Sequence, residues 1–130
     1  MFNNHTISIR VRYTEVDQMG YLHHSRYLQY FEMGRIELLR AAGFSYADLA
    51  GQGVLFVVTK LEVQYRAPAR YDDELTLVTR ITRGTTVRFD HAYELTRGKT
   101  LLAEATSTIA CVGPDGKLRA MPEVLMTGGA

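Results

Sequence analysis

Residues 25–43 are the feature that most constrains the fold, because their helical pattern is apolar on more than one side. One stripe at helical spacing contains Tyr27, Phe31, Gly34, Leu38 and Ala41. A second apolar set lies outside that stripe and contains Leu28, Met33, Ile36 and Leu39. A surface helix needs only one apolar stripe. We therefore predict a helix from a cap at Ser25 to a stop at Gly43, buried on several sides by a sheet that wraps around it.

Strand patterns make up most of the remaining chain. Residues 6–13 alternate between apolar and polar, and four more strand-like runs follow the helix, at 54–66, 75–81, 87–95 and 101–112. The turn sequences APARYDD, RGT, TRGK and GPDG separate these runs. This order predicts an α+β fold in which an antiparallel sheet packs on one long helix. In the run 54–66 the face predicted to cover the helix contains Val57, Thr59, Leu61, Val63 and Tyr65.

Smaller features complete the predicted organisation. A central Gly34 costs the helix about 1 kcal/mol relative to alanine, so we expect another backbone to approach it closely. The sequence YADLA predicts a second, short helix, and KLRAM predicts a final short strand. A chain of 130 residues fits one domain, 1–130, whose tail from about residue 124 we expect to be flexible.

Charge and composition exclude several classes of protein. The formal net charge is only +1, so no general attraction to nucleic acid or an anionic membrane is expected. No apolar run is long enough to span a bilayer, and the N-terminus has no signal-peptide pattern, so we expect a cytoplasmic protein. The single Cys111 excludes an internal disulfide, and we interpret it as a buried thiol. The four histidines are too scattered to predict a metal site, and no cofactor motif is present.

The segment before the helix contains residue types that acyl-transfer chemistry uses. Its sequence, from residue 14 to residue 32, is TEVDQMGYLHHSRYLQYFE. Asp17 lies in a glycine-containing loop that leads into the helix start, where backbone N–H groups and the helix dipole favour a negative oxygen. A substrate carbonyl bound there could be attacked by Asp17, or by a water that Asp17 activates. His24 could orient a water or a substrate group, and the hydroxyl of Tyr13 could reach the same site.

Structural roles explain these residues as well. Asp17 could close an Asx-type turn, His24 could cap the helix, and Tyr13 could be a core aromatic with a hydrogen-bonded hydroxyl. Glu32 and Arg35 are three residues apart on the helix, so we expect them to pair with each other.

A resemblance to a known family adds to this interpretation. The segments RVRYTEVDQMGYLHHSRYLQYFEMGRIELLRAAGF, KLEVQYRAPARYDDEL and RGTTVRF follow one another through most of the chain. They resemble the 4-hydroxybenzoyl-CoA thioesterase family of hotdog-fold proteins, and within it the YbgC-type acyl-CoA thioesterases. The resemblance implies a hotdog fold, in which an antiparallel sheet curls around the long helix. It also implies a homodimer or homotetramer with active sites at the dimer interface.

The resemblance further implies a role for each residue of the loop. The family's active acid falls on Asp17, as nucleophile or general base for a coenzyme A thioester, and the backbone N–H that polarises the thioester carbonyl falls on His24. Tyr13 and His24 occupy the positions of a tyrosine and a histidine of the YbgC-type pattern. The chain departs from that pattern at Val16, where the family often has Thr or Cys, and at His23, where it often has Tyr.

Contacts to the acyl group and to coenzyme A follow from the same alignment. The residues implied are Phe56, Val57, Val58, Thr85 and Thr86, with Arg83 and Arg88 beside them. From the residues alone, the RGT turn with its arginines could bind a phosphate or could simply carry solvated charge. We therefore expect an acyl-CoA thioesterase without a metal or redox cofactor. The alternatives are a thioesterase for aromatic acyl groups, such as 4-hydroxybenzoyl-CoA or 1,4-dihydroxy-2-naphthoyl-CoA, and a non-catalytic acyl-CoA binding module.

Overall fold

The computed structural model of the chain describes residues 3–122. Its elements are β1 (Asn4–Arg10), a 3₁₀ turn (Tyr13–Glu15), α1 (Arg26–Ala41), α2 (Tyr46–Gly51), β2 (Leu55–Tyr65), β3 (Glu74–Gly84), β4 (Arg88–Arg97) and β5 (Thr100–Val112). The strand predicted at 117–121 is not formed, since Leu118 makes only an isolated bridge with Val112. The flexible tail predicted from about residue 124 lies outside the described residues.

The five strands form one antiparallel sheet in the order β1-β3-β4-β5-β2. The two edges are therefore β1 and β2, and each pairs with a single neighbour. One sheet and one main helix confirm the predicted α+β architecture. The first strand ends at Arg10 rather than at residue 13, because the chain turns at Tyr13–Glu15, where the Glu15 carboxylate accepts the Arg12 N–H at 2.8 Å.

Helix α1 packs against the sheet through its predicted main stripe, but Leu28 and Met33 of the second apolar set are exposed, so the sheet covers one side of the helix within one chain. The ring of Phe31 stacks on that of Tyr93, with 4.7 Å between centroids. A Cβ atom on Gly34 would lie 2.9 Å from Cδ2 of Leu77 and closer still to Oγ1 of Thr79. A neighbouring strand does approach Gly34 closely, but the prediction of a backbone contact was wrong, because the approaching atoms belong to side chains of β3.

Strand β2 departs from its predicted pattern. Leu61 and Val63 are half-buried against the core as expected, whereas Val57 and Tyr65 are largely exposed. A register shift against β5 between Val58 and Lys60 accounts for Val57, because a β-bulge puts the residues before it and after it on different faces. Tyr65 shares the face of Leu61 and Val63 and packs on the ring of Tyr27, but it lies at the end of the strand and is exposed there.

The guanidinium of Arg35 is buried in the core. Arg35, which the sequence pairs with Glu32, donates instead from Nη1 to the hydroxyl of Tyr93 at 3.0 Å. That hydroxyl also lies 2.6 Å from Oγ of Ser107. Glu32 is exposed, and no ion pair joins it to Arg35. Within residues 3–122, no helix has the length and hydropathy needed to cross a bilayer.

Candidate active site

The loop around Asp17 is closed by the carboxylate itself. Oδ1 of Asp17 accepts the backbone N–H of Met19 at 2.8 Å and that of Tyr21 at 3.1 Å. The backbone N–H of Asp17 donates to the carbonyl of Tyr21 at 2.8 Å, and Gly20 takes a φ of 81° that only glycine adopts readily. Oδ2 of Asp17 accepts no hydrogen bond from the described residues. One carboxylate oxygen therefore shapes the loop and the other is available to a substrate.

The chain just before α1 leaves one backbone donor without an acceptor. The N–H of His23 donates to the carbonyl of Glu15 at 2.9 Å, that of Ser25 to Nδ1 of His23 at 3.3 Å, and that of Arg26 to the carbonyl of His23 at 2.9 Å. No atom in residues 3–122 accepts the N–H of His24. This amide lies at the positive end of the α1 dipole, which favours a negatively charged oxygen.

Asp17 and His24 line the same open cleft, whose volume is about 340 Å³. The other lining residues are Tyr21, Leu22, Tyr27, Tyr65, Arg66, Ala67 and Pro68. The tyrosines were not predicted as site residues. The rings of Tyr65 and Tyr27 form a T-shaped pair with 4.9 Å between centroids, and the Tyr65 hydroxyl donates to the carbonyl of His24 at 3.0 Å. The alternation of apolar and polar residues predicts Tyr65 on the inner face of β2, but no sequence pattern predicts its contact with residue 24.

Tyr13 does not line this cleft. Its side chain is 76% exposed and stands edge-on to the ring of Tyr71, with 5.4 Å between centroids. The fold therefore brings Asp17 and His24 together and leaves Tyr13 outside their cleft within one chain.

The predicted acyl contacts lie at the opposite end of β2 from the cleft. Phe56 borders a small, mostly apolar cavity of about 10 Å³ between α1, α2 and the sheet. Val57 and Val58 are exposed. A strand rises about 3.3 Å per residue, so Phe56 and Tyr65 are roughly 30 Å apart along β2.

The predicted coenzyme A contacts form a separate groove at the turn between β3 and β4. Arg83, Thr85 and Arg88 line it together with Asp90, around a volume of about 170 Å³. Oγ1 of Thr85 accepts the backbone N–H of Arg88 at 3.0 Å, so this hydroxyl holds the turn. Thr86 contributes its carbonyl oxygen to the N–H of Met121 at 2.8 Å. Neither arginine forms an ion pair with an acidic residue in the described part of the chain.

Two tyrosines that line the cleft have a pKa raised by burial. Burial raises the pKa of Tyr27, against the opposing effect of the Ala69 backbone N–H. Burial also raises the pKa of Tyr65. Both side chains are therefore neutral phenols at neutral pH. Among residues 3–122, no three His, Cys, Asp or Glu side chains are grouped closely enough to hold a metal ion.

Comparisons with known proteins show the family to which the chain belongs. The sequence model of the thioesterase-like superfamily matches residues 11–128. The acyl-CoA thioester hydrolase YbgC of Escherichia coli is 40% identical over 121 residues, which cover 91% of this chain and 90% of that protein. Among solved structures, a probable thioesterase from Bartonella henselae superimposes with a TM-score of 0.88 at 36% identity, over 92% of this chain and 99% of that one. A 1,4-dihydroxy-2-naphthoyl-CoA (DHNA-CoA) thioesterase from Staphylococcus aureus has a TM-score of 0.85 at 28% identity, over 94% of this chain and 82% of that one. The chain therefore belongs to the thioesterase-like superfamily and has its hotdog fold.

Proposed function

We propose that this protein hydrolyses an acyl-CoA thioester to the free carboxylic acid and coenzyme A. The observation that carries the proposal is that one cleft is lined by both Asp17, whose Oδ2 accepts no hydrogen bond from the described residues, and His24, whose N–H has no acceptor there. The relatives named as acyl-CoA thioester hydrolases support the same reaction.

The proposed chemistry uses the two groups in different ways. The thioester carbonyl oxygen accepts the N–H of His24, and the α1 dipole stabilises the negative charge that develops on that oxygen. Oδ2 of Asp17 either attacks the carbonyl carbon or removes a proton from a water that attacks it. Direct attack forms an anhydride that water then opens. By either route one water is consumed, the C–S bond breaks, and the coenzyme A thiolate leaves and takes up a proton.

We propose that a second copy of the chain completes the site. The cleft and the acyl contacts at Phe56–Val58 lie at opposite ends of β2, too far apart for one thioester group to reach both. Strand β2 is an edge of the sheet, and Val57 and Val58 are exposed along it. Antiparallel pairing of two β2 strands about their centre near Lys60 would place the start of one beside the end of the other. The cleft of each chain would then meet the acyl contacts of its partner.

The remaining predicted contacts have peripheral roles in this proposal. Arg83 and Arg88 bind phosphate groups of coenzyme A, since both guanidinium groups lack an acidic partner in the described residues. Tyr13 is not one of the reacting groups in this proposal, because its side chain lies outside the cleft and packs against Tyr71. The cytoplasmic location expected from the sequence stays a prediction.

Thiol release from a panel of coenzyme A esters tests the function. We expect the purified protein to cleave aliphatic acyl-CoA esters at a rate that saturates with substrate. A second candidate function is the hydrolysis of aromatic acyl-CoA esters. It is favoured by the Tyr27–Tyr65 ring pair in the cleft and by the similarity to the S. aureus DHNA-CoA thioesterase structure. Faster thiol release from aromatic than from aliphatic esters would support this second function. Saturable binding of every ester without thiol release would refute hydrolysis and leave a binding module.

A further inference from the structure

A buried carboxylate connects the active loop to α1. Glu15 is only 2% exposed. Its Oε1 accepts the hydroxyl of Tyr30 at 2.8 Å and the backbone N–H of Arg12 at 2.8 Å, and its Oε2 accepts Nη2 of Arg12 at 3.1 Å. A buried carboxylate is costly unless such donors satisfy it. Tyr30 belongs to the first half of α1, so this cluster fixes the loop relative to the helix.

The backbone of Glu15 extends the same connection to the oxyanion donor. Its carbonyl accepts the N–H of His23 at 2.9 Å. His23 in turn accepts from Ser25 and Arg26, and these bonds leave the His24 N–H as the donor without an acceptor. Asp17 follows Glu15 by two residues. The position of Glu15 therefore affects both the carboxylate and the amide that the proposed reaction uses.

The charge states of Glu15 and Tyr30 suit this cluster at neutral pH. Burial alone would raise the pKa of Glu15, but the hydrogen bonds from Arg12 and Tyr30 together hold that pKa below its ordinary value. Burial, and then the bond to Glu15, raise the pKa of Tyr30. Glu15 thus stays ionised and Tyr30 stays a donor at neutral pH.

We propose that Glu15, held by Tyr30 and Arg12, is a positioning residue that sets the His24 N–H at the correct distance from Asp17. This inference rests on the proposed hydrolysis. An oxyanion donor acts mainly on the transition state, so its displacement lowers kcat more than it changes KM.

Tyr30→Phe is the mildest test, because it removes one hydroxyl from the cluster. Tyr93→Phe is the matched control, since it removes an equally buried hydroxyl that contacts Arg35 and Ser107 away from the cleft. Below the melting temperatures of all variants, we expect Tyr30→Phe to lower kcat roughly tenfold with KM nearly unchanged. We expect Glu15→Gln to lower kcat further, and Tyr93→Phe to lose stability while kcat is retained.

Amide hydrogen exchange supplies a readout that does not depend on turnover. In Tyr30→Phe we expect the His23 amide to exchange roughly tenfold faster, because the carbonyl that holds it is less firmly placed. Unchanged kcat in both Tyr30→Phe and Glu15→Gln would overturn the inference, and so would a lower kcat with unchanged His23 exchange. A wild-type protein that cleaves no thioester would overturn the proposed function instead.

Discussion

The Oδ1 atom of Asp17 accepts the backbone N–H of Tyr21 at 3.1 Å, so the proposed reactive side chain also holds its own loop in shape. The second bond to Oδ1, from Met19 at 2.8 Å, strengthens this arrangement. Oδ1 therefore stabilises the loop, and Oδ2 is the oxygen that the proposed reaction uses. An amide in place of the carboxylate can still accept both N–H groups, and this makes a clean test of the chemistry possible.

Asp17→Asn should lower kcat by roughly 10²–10⁴-fold, because the amide retains the loop contacts but is a poor base and nucleophile. Thiol release from a cleaved acyl-CoA ester measures the effect, and circular dichroism and the melting temperature should match the wild type. Asp115→Asn is the matched control, since Asp115 also accepts a turn N–H, from Lys117 at 3.0 Å. Near-normal hydrolysis by Asp17→Asn would refute its assignment.

Val58→Lys should separate the proposed dimer. Val58 is exposed on the edge strand β2, and a lysine on a strand edge opposes pairing with another strand. We expect light scattering after size-exclusion chromatography to show a shift from dimer to monomer, together with a loss of thiol release. Thr76→Lys is the control, because Thr76 is exposed on β3 between two paired strands. A Val58→Lys dimer with full activity would contradict pairing through β2.

Gly34→Ala should destabilise the fold although alanine is the better helix former. The added Cβ would clash with Thr79 and lie 2.9 Å from Leu77. Overpacking of this kind costs about 1–3 kcal/mol, against a gain of about 1 kcal/mol in helix propensity. Urea unfolding should therefore show a lower free energy of unfolding. In the control Gly51→Ala the new Cβ has no atom within 4 Å, so that variant should be neutral or more stable.

Stability should fall in acid because of His91. Burial, and then the charge of Arg35, lower the pKa of His91 from 6.5 to about 4, against a smaller opposing effect of Asp90. Well above pH 6.5 the imidazole is neutral in the folded and in the unfolded state, so its titration does not affect stability. As the pH falls from 6.5 to 4, the unfolded chain takes up a proton before the folded one, which costs folding about 3 kcal/mol in total.

The comparison of wild type with His91→Leu isolates this effect. The free energy of unfolding, measured in urea between pH 7 and pH 4.5, should fall more steeply for the wild type than for the variant. If the two proteins differ in free energy of unfolding by the same amount at every pH in this range, His91 has the same pKa in the folded and the unfolded state, and the prediction is wrong.

Local patterns predicted the elements well. The helix predicted at 25–43 is observed at Arg26–Ala41, and the short helix at YADLA is observed at Tyr46–Gly51. The main apolar stripe of α1 correctly indicated the side that packs on the sheet, whereas the predicted burial on several sides was wrong within one chain, since Leu28 and Met33 are exposed. The correct predictions succeeded because helical and strand periodicity is encoded by neighbouring residues.

Contacts between distant segments were not predictable in the same way. The pairing of β5 with β2 makes β2 an edge strand, and the register shift between the two decides that Val57 is exposed. The hydrogen bond from the Tyr65 hydroxyl to the His24 carbonyl joins residues that are 41 positions apart, and no pattern in either segment predicts it.

The sequence by itself determined the elements, the antiparallel class of the sheet and the loop that carries Asp17 and His24, since each depends on residues within a few positions of one another. Only the tertiary structure decided that Glu15 is buried under Tyr30, that Tyr13 lies outside the cleft and that the N–H of His24 has no acceptor in the described residues. The physical reason is that burial and hydrogen-bond partners depend on which elements pack together, and the period of a single segment does not specify its neighbours.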